Sequence, residues 1–151
     1  MRCQLFSLWS RRSGRETFYR TELASRSDTK IFYTGVQLDM SDCDVFMHLV
    51  QAAKDALPGT LIKVDEWKLL KELGRAEGGS NYEQLRDSIR RIFYGSIEIE
   101  VSGKFKIGTK AAGVHLIDKY EYNEETKEYS YIVDPSIVML FENDEYSLID
   151  W

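Results

Sequence analysis

The sequence predicts an α+β fold, and three patterns in its central region support this. Leucines recur at helical spacing within 66–73, and a second apolar stripe of helical period runs through 80–94. A glycine-rich turn separates the two stripes. From Ser96 onward, apolar and polar residues alternate as in a β-strand with one buried face. A helix, a turn, a second helix and a hairpin indicate a winged helix-turn-helix, with N-terminal strands and an enlarged β-hairpin wing.

The first third of the chain predicts two strands and a helix. Residues 17–24 and 30–38 are rich in aromatic and β-branched residues, which favour strands. A helix is predicted over about 42–56, because apolar residues recur there at helical spacing. Ser41 and Asp44 have capping-box spacing at its start, with Asp in place of the usual Glu.

Local signals place the ends of the next two helices. After a short strand at 61–64, Asp65 is a suitable N-cap for the second helix, and Gly74 suits the C′ position, where φ is positive. Ser80 and Glu83 form a capping-box signature for the third helix. Five apolar residues share one side of that helix and are its predicted core side: Tyr82, Leu85, Ile89, Ile92 and Phe93.

The last third predicts strands and a short helix. A strand from Ser96 leads into a lysine-bearing wing, and 114–122 and 128–133 form a further strand pair. Pro135 can occupy the first turn of a helix that ends at Phe141. Four tyrosines are predicted to pair across the hairpin or to form a protein-binding surface: Tyr120, Tyr122, Tyr129 and Tyr131.

The elements place one winged-helix domain at 17–151, after a flexible basic arm at 1–16. The net charge of −5 is unevenly distributed. Residues 1–30 carry seven Lys and Arg against three Asp and Glu, whereas 118–151 carry two against ten. An acidic total argues against a purely electrostatic DNA clamp, because phosphate neutralisation supplies most non-specific affinity. An acidic net charge is still compatible with a local basic face.

Composition and motifs argue against several other classes. No apolar run approaches the ~18 residues that span a bilayer, and the apolar patch from Leu5 to Trp9 is shorter than that expected of a secretory signal. The two cysteines lack CxxC spacing, which predicts a cytoplasmic protein without a disulfide framework or metal site. The sequence contains no GxSxG, HExxH, P-loop or GxGxxG motif. We therefore expect no enzyme activity, no catalytic residues and no cofactor.

The outer side of the third helix carries the strongest candidates for nucleic-acid contact. Arg86, Arg90 and Arg91 lie on or beside that face, and Arg can pair with phosphate or read guanine bidentately. The alternative is a solvated face held by local ion pairs. Glu83 and Asp87 precede the arginines at i,i+3 or i,i+4 spacing, which supports this alternative.

Two further groups of residues are candidates for phosphate contact. Ser80 and Asn81 open the third helix, where free N–H groups can bind an anion; the alternative is a simple turn with an N-cap. Lys104 and Lys106 share a face of the predicted wing, where positive charge within reach of the DNA backbone suffices.

Three segments together resemble one known family. They are the run 33–53 with its YTGVQLDMSDCDV start, the run 69–92 with its LG and GGSNYEQL pattern, and the ending VDPSIVMLFENDEYSLIDW at 133–151. In this order and spacing they resemble the TrfA-type plasmid replication initiators, over about 30–151.

The resemblance implies a function in plasmid replication. Such initiators bind repeated sites called iterons in double-stranded origin DNA, help to open the duplex and recruit host replication proteins, including the helicase machinery. They carry two winged-helix domains, and this chain resembles the first, so we expect the second to be absent. In related initiators the first domain contributes to dimerisation and phosphate contacts. The alternative is a winged-helix interaction module without DNA binding of its own.

Overall fold

The computed structural model describes residues 14–25, 29–101 and 110–142. These ranges hold seven strands and four helices, in an order close to the predicted one. In chain order they are β1 Thr17–Ser25, β2 Thr29–Val36, α1 Met40–Lys54, β3 Ile62–Asp65, α2 Glu66–Glu72, α3 Gly79–Tyr94, β4 Ser96–Val101, β5 Lys110–His115, β6 Lys119–Asn123, β7 Glu128–Ile132 and α4 Pro135–Glu142.

The strands form two antiparallel sheets. One has the order β1-β2-β4-β5, and the other has the order β3-β7-β6. In the second sheet, a short strand from between α1 and α2 pairs with the hairpin that precedes α4. A strand between the first two helices that joins a hairpin after the third is the arrangement of a winged helix-turn-helix. The predicted fold class is therefore confirmed.

The structure divides the predicted wing into two hairpins. β4 and β5 extend the N-terminal sheet, whereas β6 and β7 form the wing proper, in which β7 pairs with both β3 and β6. The continuous strand predicted at 114–122 is wrong, because Leu116 and Ile117 are both fully buried and break the alternation. The Leu116 N–H donates to Gly95 O and the Asp118 N–H to Ile132 O, so the chain passes from one sheet to the other here.

Two helix starts differ from the predicted ones. α1 begins with Asp39 as N-cap and Asp42 as its reciprocal partner, so the predicted Ser41 cap is wrong. The register is set by the Asp42 carboxylate, which must lie at N3 to accept the Asp39 N–H at 3.1 Å. α3 begins at Gly79 with Gly78 as N-cap and no side-chain cap, so the predicted Ser80 cap is also wrong.

The ends of α2 agree with the sequence. The Asp65 carboxylate accepts the Lys68 N–H at 3.0 Å and caps the helix as predicted. Gly74 has φ +73°, the left-handed conformation that glycine adopts without strain. These two signals position the short turn into α3.

The core lies between the helices and the inner faces of both sheets. α1 packs against α3 and α4, and α3 also contacts β2. Tyr129 and Tyr131 pair with Tyr122 and Tyr120 across the wing hairpin, as predicted. However, Tyr129 and Tyr131 are 1% and 2% exposed, so they belong to the core and cannot form a protein-binding surface.

Candidate nucleic-acid interface

The apolar stripe of α3 fixes which of its faces is free. Leu85, Ile89 and Ile92 are buried, as their helical spacing predicts. The opposite face carries Glu83, Asp87 and Arg90, all exposed. This outer face is where a recognition helix would meet DNA.

Arg91 does not belong to that free face. Its Nη2 donates to Asp42 Oδ1 at 2.8 Å and its Nε donates to Asp42 Oδ2 at 3.2 Å. The Asp42 carboxylate is fully buried, and the guanidinium is bound to it in bidentate fashion. Arg91 therefore joins α3 to the start of α1, and its contact with DNA stays a prediction.

The Asp42 carboxylate is shared by several elements. The Ser88 hydroxyl donates to Oδ1 at 2.6 Å, and Arg15 Nη1 donates to Oδ2 at 3.2 Å. Together with Arg91 and the Asp39 N–H, these donors satisfy a charge that would be costly to bury alone. We call Asp42, Ser88, Arg91 and Arg15 the Asp42 cluster; it connects α1, α3 and the segment before β1.

Arg15 also pairs with Asp39 at 2.8 Å. Burial opposes ionisation of Asp39, but the Asp42 N–H and the charges of Arg15 and Arg91 outweigh it, so the pKa of Asp39 is lowered. Arg15 was predicted as part of a flexible arm over 1–16. Residues 1–13 lie outside the described part of the chain, so the arm remains a prediction.

Arg86 is directed toward the wing. Its guanidinium carbon lies 5.0 Å from the centroid of the Tyr122 ring, a cation–π distance. Tyr122 in turn packs against Tyr129, with ring centroids 4.7 Å apart. Burial raises the pKa of Tyr129 to about 12, so its hydroxyl is neutral at pH 7. This stacking holds the β6–β7 hairpin against α3 and half-buries Arg86.

Arg90 is the predicted arginine that stays accessible. Its side chain is 54% exposed, and Asp87 lies 3.9 Å away at i,i+3. A pair this long between exposed side chains contributes little and leaves the guanidinium free to bind a phosphate. Because Glu83 and Asp87 share the face, α3 presents one accessible cation beside two carboxylates.

The start of α3 has a different geometry. Ser80 is exposed, and Asn81 donates from Nδ2 to Ala76 O at 2.7 Å. No side chain of the described residues caps this helix, so its first N–H groups have no side-chain acceptor there. Lys104 and Lys106 lie outside the described residues, so their contact with DNA stays a prediction.

The described residues contain no grouping of three or more metal-ligating side chains. None of the helices in those ranges is long and apolar enough to cross a bilayer.

Comparison with known proteins decides the family. A family model described as TrfA protein matches residues 1–151. The chain belongs to the TrfA family. The plasmid replication initiator protein TrfA of Escherichia coli is 24% identical over 152 residues, which cover 99% of this chain and 40% of that protein. That relative is named as an initiator of replication rather than as an enzyme.

Solved structures resemble this TrfA-family chain in fold. Domains 2 and 3 of RctB give a TM-score of 0.65 at 13% identity, over 96% of this chain and 59% of that one. The WH1 domain of MSBI1.176, a replication protein isolated from a multiple sclerosis patient, gives 0.51 at 13% identity, over 72% and 80%. At such identities the likeness shows the fold alone.

One exposed surface of this TrfA-family chain was not among the sites predicted from the sequence. Trp67 on α2 is 48% exposed, and Lys71 Nζ lies 5.0 Å from the centroid of its ring. Lys68 is exposed on the same helix. Helical spacing could have identified this surface, because Trp67, Lys68 and Lys71 are not part of the buried side of α2 that holds Leu69 and Leu70.

Proposed function

We propose that this chain is a DNA-contacting winged-helix domain of a plasmid replication initiator. In this proposal it binds the iteron DNA of the origin mainly through backbone contacts. The observation that carries the proposal is the match of the whole chain to the TrfA family, on a winged helix-turn-helix architecture. The chain spans 40% of the length of the curated relative, so the activities of the whole protein are proposals for this chain as well.

Backbone contact, rather than base reading by α3, fits the charges of that helix. Arg91 is bound by Asp42 and Arg86 lies on Tyr122, so neither guanidinium extends freely from the outer face. Arg90 alone among the predicted arginines is more than half exposed. One cation beside two carboxylates favours weak, orientation-setting phosphate contact over bidentate guanine recognition.

Fluorescence anisotropy with two labelled duplexes tests this proposal. One duplex carries the origin repeats of the plasmid that encodes the chain, and the other is a scrambled duplex of equal length and composition. We expect both to bind at low salt and to lose affinity as salt rises, with little preference between them, because backbone contacts carry little sequence information. No binding of either duplex at low salt would overturn the proposal for this chain.

A second candidate function is dimerisation or partner docking without DNA binding. β1 and β5 are the two edges of the four-stranded sheet. β1 is irregular, with two register shifts and Arg20 at φ +47°, features that protect an edge from further pairing. β5 pairs with β4 in unbroken register over six residues, and no described strand pairs with its other side.

Such a regular edge favours the addition of a strand from a second copy or another protein. Light scattering across a concentration series tests self-association. A mass that doubles in wild type and stays monomeric when Gly113 is replaced by Pro would support pairing through β5, because Pro cannot donate a ladder hydrogen bond. A monomer at all concentrations would contradict dimerisation. Binding of host replication proteins, including the helicase machinery, is a further proposal from the family.

A further inference from the structure

We propose that the exposed face of α2, formed by Trp67, Lys68 and Lys71, contacts the phosphates of duplex DNA. We call these three residues the α2 face. The inference rests on the proposed function and names the residues that provide much of its positive charge. It places two of the cations that contact phosphate on the first helix of the helix-turn-helix, beside Arg90 on α3.

The charges on the two helices lead to this assignment. On α3 the accessible Arg90 is outnumbered by Glu83 and Asp87. On α2 the exposed charges are Lys68, Lys71 and Glu72, so its outer face carries a positive balance. Neither lysine forms an ion pair within the described ranges. Their ammonium groups can bind phosphate without first breaking an internal pair.

Trp67 gives this face a rigid centre. Trp67 is 48% exposed, whereas Leu69 and Leu70 on the same helix are buried in the core. The Lys71 ammonium lies over the ring, which limits the freedom of the lysine before any DNA binds. The indole N–H is a donor that suits a phosphate oxygen. A preordered cation beside a donor reduces the entropy lost on binding.

The position of α2 in the fold agrees with this role. In helix-turn-helix proteins the first helix of the motif crosses the DNA backbone while the second enters the groove. Asp65 and Gly74 fix the two ends of α2, so its outer face has a defined direction relative to α3. A rigid helix with free lysines at this location is arranged for backbone contact.

The salt dependence of DNA binding tests the proposal. The double variant K68A/K71A is compared with K54A/K63A, which removes one exposed lysine from α1 and one from β3. Lys63 alternates with Ile62 and Val64, which pack on the core, so it points to the other side of its sheet. Because each neutralised phosphate contributes about 0.9 to the slope of log K against log salt, K68A/K71A should reduce the slope by about 1.8. The control should leave it unchanged.

Trp67 provides an independent readout. In a W9F/W151F background it is the single tryptophan of the chain, which otherwise has three. We expect its emission to change on titration with duplex DNA at low salt. If wild type binds DNA but K68A/K71A has the same salt slope as wild type, the α2 face is refuted while the proposed function stands. A constant Trp67 emission on binding would also count against the α2 face. If wild type binds no DNA, both are refuted.

Discussion

Replacing Asp42 with Asn should destabilise this chain more than any exposed substitution. The carboxylate is fully buried and accepts from Ser88, Arg91 and Arg15, besides the Asp39 N–H. An amide keeps the volume but removes the charge and offers one acceptor atom instead of two. Arg91 and Arg15 then lose their shared counter-charge, and breaking a buried pair in this way costs about 3–5 kcal/mol.

The magnitude is large relative to the stability of a domain this size. Small proteins unfold at a cost of about 5–15 kcal/mol, so a loss of about 3–5 kcal/mol in D42N is about a fifth of the total or more. Each kcal/mol corresponds to about 2–4 °C for a chain of about 150 residues, which predicts a Tm roughly 10 °C lower. Arg15 still retains Asp39 at 2.8 Å, which places the expected loss toward the lower end of the range.

Urea denaturation followed by circular dichroism at pH 7 measures this loss. The matched control is D44N, two residues along the same helix, where the side chain is exposed. We expect D44N to stay within about 0.5 kcal/mol of wild type. If D42N also loses less than about 1 kcal/mol, the Asp42 cluster does not connect α1 and α3 in the way described.

Three further predictions concern the same elements. R91A should destabilise the chain by about 3–5 kcal/mol in urea titration, because it leaves Asp42 buried without its main partner. R90A should stay within about 0.5 kcal/mol of wild type and instead reduce the salt slope of DNA binding by about 0.9. Equal stabilities of the two variants would contradict the assignment. The lowered pKa of Asp39 contributes stability that is present above its unfolded value of about 3.9 and is lost as pH falls through the folded value. D39N should therefore lose less stability than wild type between pH 5 and 3, and parallel acid titrations of the two would argue against it. Burial raises the pKa of Tyr129 to about 12 from an unfolded value of about 10, so its contribution is present below pH 10 and lost as pH rises toward 12. Y129F should lose less stability than wild type as pH rises from 7 to 11, because phenylalanine does not ionise; an equal loss in the two proteins would refute this.

The sequence predicted those features that depend on short-range periodicity. The buried stripe of α3 follows from its helical spacing, and Leu85, Ile89 and Ile92 are all buried. Asp65 and Gly74 mark the ends of α2 because a cap and a positive φ leave local signatures. Such signals need only neighbouring residues, so they are readable without the fold.

The features that failed depend on contacts between distant segments. Arg91 has Asp87 at i,i+4, which predicts a local pair, yet it binds Asp42, 49 residues away. Only the packing of α1 against α3 brings these two side chains together. The predicted Ser41 cap of α1 was wrong for a related reason, since Asp39 and Asp42 have the same three-residue spacing as Ser41 and Asp44. Spacing alone cannot select between two registers.

The most direct test of the central claim is the salt slope of duplex binding by the wild-type chain. Three accessible cations, Arg90, Lys68 and Lys71, are assigned to phosphate contact. At about 0.9 for each phosphate, they predict a slope of log K against log salt near −2.7. A measurable affinity at low salt with a slope between about −2 and −4 would support the account. Absence of binding, or binding whose affinity does not change with salt, would contradict it.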